Sequence, residues 1–191
     1  MKTINTPSFF SINLKKYVGK CVVDIIRFSW WPKYDVSTKC GISNELAFSL
    51  TAGPLEIVFD DGSSLGIASD PGLNSVIVWN EKESKGRCCV EDPLDKDVEL
   101  YSIKFSDDVY SKFSWRSFFN VKLIGFSIIK KISLNAIEKE CPSELGLCLI
   151  FEGGVYFIAS HGLHDGSDDF SVLMPDQFIV EEGDEFIRVP L

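Results

Sequence analysis

Short apolar runs separated by acid–glycine turns set the rhythm of this chain. Leu55-Glu-Ile-Val-Phe59 leads through Asp60-Asp61-Gly62-Ser63-Ser64 into Leu65-Gly-Ile-Ala-Ser69. Leu147-Cys-Leu-Ile-Phe151 leads through Glu152-Gly153-Gly154 into Val155-Tyr-Phe-Ile-Ala-Ser160. Each passage reads as an apolar strand, a turn and a second strand ending in Ala-Ser. Asp-Gly and Gly-Gly favour hairpins because glycine accepts positive φ. A third strand follows each hairpin, at Ser75 to Trp79 and at Phe170 to Leu173. Val98 to Phe105 alternates and predicts a strand, as does Asp184 to Val189. Ser106-Asp107-Asp108 can cap a short helix running to about Phe119.

The two hairpin passages belong to a longer match. Val18-Gly19 through Ile26 parallels Ile124-Gly125 through Ile132, with glycine and final isoleucine seven positions apart in both. Between opening strand and hairpin the first copy holds an extra loop, which includes Trp30-Trp31-Pro32. The expected architecture is a single domain over residues 1–191. Within it, copies at 14–79 and 118–173 flank a connector at 80–117. The fold class is mainly β, a β-rich α+β arrangement with one short helix in the connector. Each unit has an apolar sheet face it cannot bury alone, so duplicated antiparallel units are expected to pack as a sandwich or barrel-like sheet pair.

Composition agrees with a globular β protein. The 191 residues are 45% hydrophobic and include fifteen Phe, which favours strands. The N-terminus lacks an uninterrupted apolar stretch and a small-residue cleavage site, so no signal peptide is expected. The apolar runs are far shorter than the roughly 20 residues of a membrane span. Cytoplasmic residence follows as the expectation, with all six cysteines (Cys21, Cys40, Cys88, Cys89, Cys141, Cys148) reduced.

Charge changes the picture more than composition does. The net charge is −9, and from Phe151 onward nine acids face one base, Arg188. Such one-sidedness repels nucleic acid and anionic lipid and attracts a basic partner. Neither nucleic acid nor a membrane is therefore expected as a partner. The acids taken as partner-binding are Asp165, Asp168 and Asp169, with Glu181, Glu182, Asp184 and Glu185. Trp30 and Trp31 join them. Adjacent aromatics cannot share one side of a strand. One is therefore read as core and one as an exposed interface anchor.

Catalytic signals are weak. Gly62-Ser63-Ser64-Leu65-Gly66 has the Gly-x-Ser-x-Gly spacing, but a nucleophile elbow needs a strand-to-helix turn and this stretch joins two strands. His161, His164 and Asp165 could in principle hold a divalent metal, which would make a metal-dependent enzyme one alternative. Ser160, His164 and Asp168 are too crowded on one loop for triad geometry. No phosphate-cradling glycine loop and no dense basic patch occur. The expectation is a chain without enzymatic activity, cofactor or metal. A non-catalytic ligand-binding or structural β-module is a further alternative.

Val18-Gly19-Lys20, and Phe59-Asp-Asp-Gly62 with its following Leu-x-Ile strand, carry a resemblance. Together with the small, acidic, β-rich character, they make the chain similar to immunity proteins of bacterial polymorphic-toxin and contact-dependent inhibition systems. That resemblance implies neutralisation of a cognate toxin domain by tight binding. The toxin would be basic, and a nuclease is one possibility.

Overall fold

The computed structural model describes residues 5–80, 100–132, 140–164, 169–178 and 186–191. It is mainly β, with ten strands in two five-stranded antiparallel sheets. The first sheet contains β1 (Val22–Ser29), β2 (Leu55–Phe59), β3 (Ser64–Asp70), β4 (Ser75–Asn80) and β5 (Tyr101–Lys104), in the order β4-β3-β2-β1-β5. The second contains β6 (Leu123–Lys131), β7 (Glu144–Phe151), β8 (Tyr156–His161), β9 (Phe170–Leu173) and β10 (Phe186–Pro190), in the order β10-β6-β7-β8-β9. Three short helices accompany them: α1 (Ser11–Leu14), α2 (Lys33–Cys40) and α3 (Ala47–Leu50).

Both sheets have one connectivity. Four strands run as a meander, and a fifth returns to pair antiparallel with the first. The correspondence reaches single residues. The β1–β2 ladder slips between Val22 and Asp24, and the β6–β7 ladder slips between Leu123 and Gly125. Val22 pairs with Phe59 as Leu123 pairs with Phe151. The ladders thus equate Val22 with Leu123, whereas the glycine match equates Gly19 with Gly125. Gly19 lies before β1 at φ 92°, in a turn, while Gly125 lies inside β6, so the two glycines serve different purposes.

Two further expectations are corrected. Asp107 does not start a helix reaching Phe119. Its carboxylate accepts the Val109 and Tyr110 N–H groups in a turn, and a 3₁₀ helix begins later, at Phe113–Phe118. The extra loop of the first copy is partly helical, in α2 and α3. Gly41, at φ 67°, closes α2 in the left-handed conformation.

The chain divides into two compact units, residues 20–67 with 79–121, and residues 1–19 with 68–78 and 122–191. In the former, Ile25, Leu55, Ile57, Leu65 and Ile103 are wholly buried. Gly66 is buried beneath the indole of Trp79, which occupies the space a Cβ would need. In the latter, Leu147, Leu149, Phe157 and Ala159 are wholly buried. Arg188 secures the edge strand β10 by donating to Ser127 Oγ (2.5 Å) and Cys148 Sγ (2.8 Å) while lying over the Tyr156 ring. Burial pushes the Cys148 thiol up, and the Arg188 charge, which pulls the other way, does not offset it. Cys21, Cys40, Cys141 and Cys148 are all free thiols.

The second unit also holds its N-terminal segment through a buried carboxylate. Glu144 accepts the Ser8 N–H (2.9 Å) and hydroxyl and lies 3.5 Å from Lys130 Nζ. Its own N–H donates to Ser75 Oγ at 2.7 Å.

Gly66→Ala should destabilise the protein by about 2 kcal/mol, because the added methyl overlaps the Trp79 ring. Gly125→Ala meets no atom within 4 Å and should change stability by less than about 0.5 kcal/mol. Urea denaturation of the two variants against wild type measures the contrast.

Candidate functional site

At the end of β1 the chain leaves the sheet through Trp30-Trp31-Pro32 and enters α2. Ser29 fixes this exit: its Oγ accepts the Trp31 N–H at 3.1 Å and the Thr51 hydroxyl at 2.9 Å. Pro32 takes ψ 141°, and its carbonyl accepts the Asp35 N–H at 2.8 Å to begin the helix. Beneath lies Arg27, wholly buried on the core side of β1, whose Nη2 donates to the Thr51 carbonyl. Burial drives the Arg27 pKa well below its usual value. The tryptophans therefore stand on a hydrogen-bonded base, Arg27 to Thr51 to Ser29 to Trp31.

Trp30 and Trp31 are both exposed, at 54% and 44%, so neither is the core residue that strand alternation implied. The reason is local: they lie past the last residue of β1, where alternation no longer applies. Tyr34 on α2 is 69% exposed, and Tyr101, opposite Ser29 on β5, is 44% exposed. Four large aromatics thus present surface around one strand end. Lys39 sits over the Trp31 ring at 5.2 Å. Such a ring face attracts cations through its quadrupole.

The patch is bounded by Lys33, which pairs with Asp107 at 3.0 Å and lies over the Tyr110 ring. Partial burial opposes ionisation of Asp107. The Val109 and Tyr110 N–H bonds and Lys33 outweigh it, holding that carboxyl below its ordinary range. Further inside, Trp115 Nε1 donates to Ser49 Oγ at 3.1 Å and the indole meets Phe48 edge-on.

Of the acids expected to bind a partner, Asp169 is exposed, and its carbonyl accepts the Gly162 N–H at 3.3 Å. Asp165, Asp168, Glu181, Glu182, Asp184 and Glu185 lie outside the described residues. The described residues carry 13 bases and 14 acids, whereas the remainder carry 6 bases and 14 acids. Nearly all of the negative excess therefore belongs to segments outside the description. The β-sheet scaffold itself is close to neutral.

His161 is buried on β8, and His164 is half-buried. No three His, Cys, Asp or Glu side chains come together to suit a metal ion among the described residues. Ser64 is buried at the start of β3 opposite Val58, in a hairpin rather than a strand-to-helix elbow. No family model, curated protein or solved structure matches this chain.

Sequence reasoning singled out Trp30 and Trp31 but not the exposed Tyr34 and Tyr101. Tyr34 could have been reached from Pro32, which favours a helix start and so places Tyr34 in a first turn. Tyr101 joins only through the β1–β5 register.

Because the Asp107 carboxyl is depressed in the fold, it contributes stability above the unfolded value of about 3.9, and that contribution is lost as pH falls through the folded value. Asp107→Asn should therefore be less stable than wild type at neutral pH. The gap should narrow as pH falls below the unfolded value of about 3.9, as read by chemical denaturation at neutral and acidic pH.

Proposed function

We propose that this chain is an immunity-type binding protein that neutralises a cognate basic toxin domain by occupying it, without turnover. The observation that carries this reading is the aromatic patch of Trp30, Trp31, Tyr34 and Tyr101 held on the Ser29–Thr51–Arg27 base. Tryptophan and tyrosine are enriched among residues that dominate interface energies. A rigid support lowers the ordering cost of binding. The chain's net charge of −9 supports a cationic partner, and charge on the acids of residues 165–185 would speed its approach rather than hold it. Anchoring and steering are then separate: the aromatics set dissociation and the acids set association.

Co-expression with a toxin domain encoded beside this chain, followed by binding kinetics on the purified pair, tests the reading. Wild type should restore growth. Trp30→Ala with Trp31→Ala should weaken affinity by about 30-fold or more, mainly through faster dissociation. Reversing Asp165, Asp168 and Asp169 to lysine should slow association at low salt and matter less at high salt. Full protection and unchanged kinetics in both variants would remove the proposal.

A further inference from the structure

The N-terminal segment carries a second exposed surface, unrelated to the aromatic patch in residue type and charge. From Ser11 to Tyr17 the chain is helical, α1 continuing into a 3₁₀ turn at Lys15–Tyr17. Its inner side is fixed by Leu14 and Tyr17, both buried, and Thr6 and Pro7 just before it are buried too. Ser8 is tied to Glu144, and the Gly19 N–H donates to the Leu123 carbonyl at 2.8 Å. The segment is therefore anchored at both ends. Its outward side nevertheless presents Ile12 at 79% exposure, and Phe9, in the turn before it that the Phe10 N–H closes on the Thr6 carbonyl at 2.9 Å, is 69% exposed. Helical spacing brings Ile12, Lys15 and Lys16 onto one face.

Lys15 and Lys16 follow on the next turn, and both are exposed. Neither has an acidic partner among the described residues, although Lys20, Lys33, Lys104, Lys122 and Lys130 each have one. In an acidic chain this is an unneutralised basic group beside two protruding apolar side chains.

That pairing fits a surface offering negative charge outside and hydrocarbon beneath. Phe9 and Ile12 together offer roughly 300 Å². This is well short of the roughly 800 Å² per partner of a stable protein interface. A bilayer interface needs no shaped pocket to receive them. The chain's overall negative charge opposes approach, but in physiological salt charges act over only about 8 Å, so the local lysines decide.

We propose that Phe9, Ile12, Lys15 and Lys16 form a reversible docking surface for an anionic lipid bilayer. The two apolar side chains enter the headgroup region, and the two ammonium groups meet lipid phosphate and carboxylate. This inference does not depend on the toxin-binding reading.

Vesicle co-sedimentation with the intact chain tests it. Wild type should pellet at physiological salt, where the Debye length is about 8 Å, with phosphatidylcholine vesicles containing phosphatidylserine, and stay in the supernatant with phosphatidylcholine alone. Lys15→Glu with Lys16→Glu should weaken association by at least about 25-fold, at roughly fivefold for each lysine lost near an anionic surface. Phe9→Ser with Ile12→Ser should abolish pelleting while the thermal midpoint holds, since both side chains are exposed. Trp30→Ala with Trp31→Ala should pellet like wild type. Wild type that fails to pellet, or pelleting that survives both N-terminal double variants, would overturn the proposal. So would retention on immobilised polyglutamate without vesicle binding, which would assign the patch to an acidic protein.

Discussion

A buried arginine ties down the strand end from which two exposed tryptophans leave the sheet. Arg27 occupies a core-facing position of β1, level with Leu55 on one neighbouring strand and Ile103 on the other. Placing a guanidinium among such residues is costly unless its hydrogen bonds are met. The Thr51 carbonyl accepts one of them. That tie draws the end of α3 against the end of β1, where the Thr51 hydroxyl meets Ser29 and Ser29 receives the Trp31 N–H. The residue that accepts from Arg27 inside the fold, Thr51, is thus one bond from Ser29, which receives the Trp31 N–H outside it.

Much of the β architecture was legible because antiparallel strands write themselves into sequence with a period of two and glycine turns. The hairpins at 55–69 and 147–160, the third strands and the mainly β class follow from that local grammar. Register across strands has no such signature. The glycine match placed Gly19 with Gly125, yet the ladders equate Val22 with Leu123, since both slip right after that opening pair, a correspondence that only strand pairing reveals. Helices in the first copy's extra loop were hidden for a different reason. α2 buries only Val36, so its sequence carries almost no apolar stripe to find.

The candidate site was half legible. Two adjacent tryptophans stand out in any sequence, and treating them as strand residues led to one being assigned to the core. They fall just beyond the strand, where each points as the turn directs. Tyr101 belongs to the patch through a pairing across more than seventy residues of chain. A hydrogen-bond ladder makes that association, and composition cannot.

Charge and shape are distributed unequally in this chain. The described scaffold is almost electrically balanced, with Lys20, Lys33, Lys104, Lys122 and Lys130 engaged by carboxylates, while the negative excess is concentrated in sequence segments beyond it. A balanced scaffold exerts little long-range field, so its apolar projections act only at contact distance. Charge in the acidic segments differs in that it acts at range. On the proposed toxin-binding reading, mutation of an exposed aromatic and mutation of an acidic residue therefore change different physical quantities. Affinity alone would merge them, whereas association and dissociation rates measured across ionic strength keep them apart.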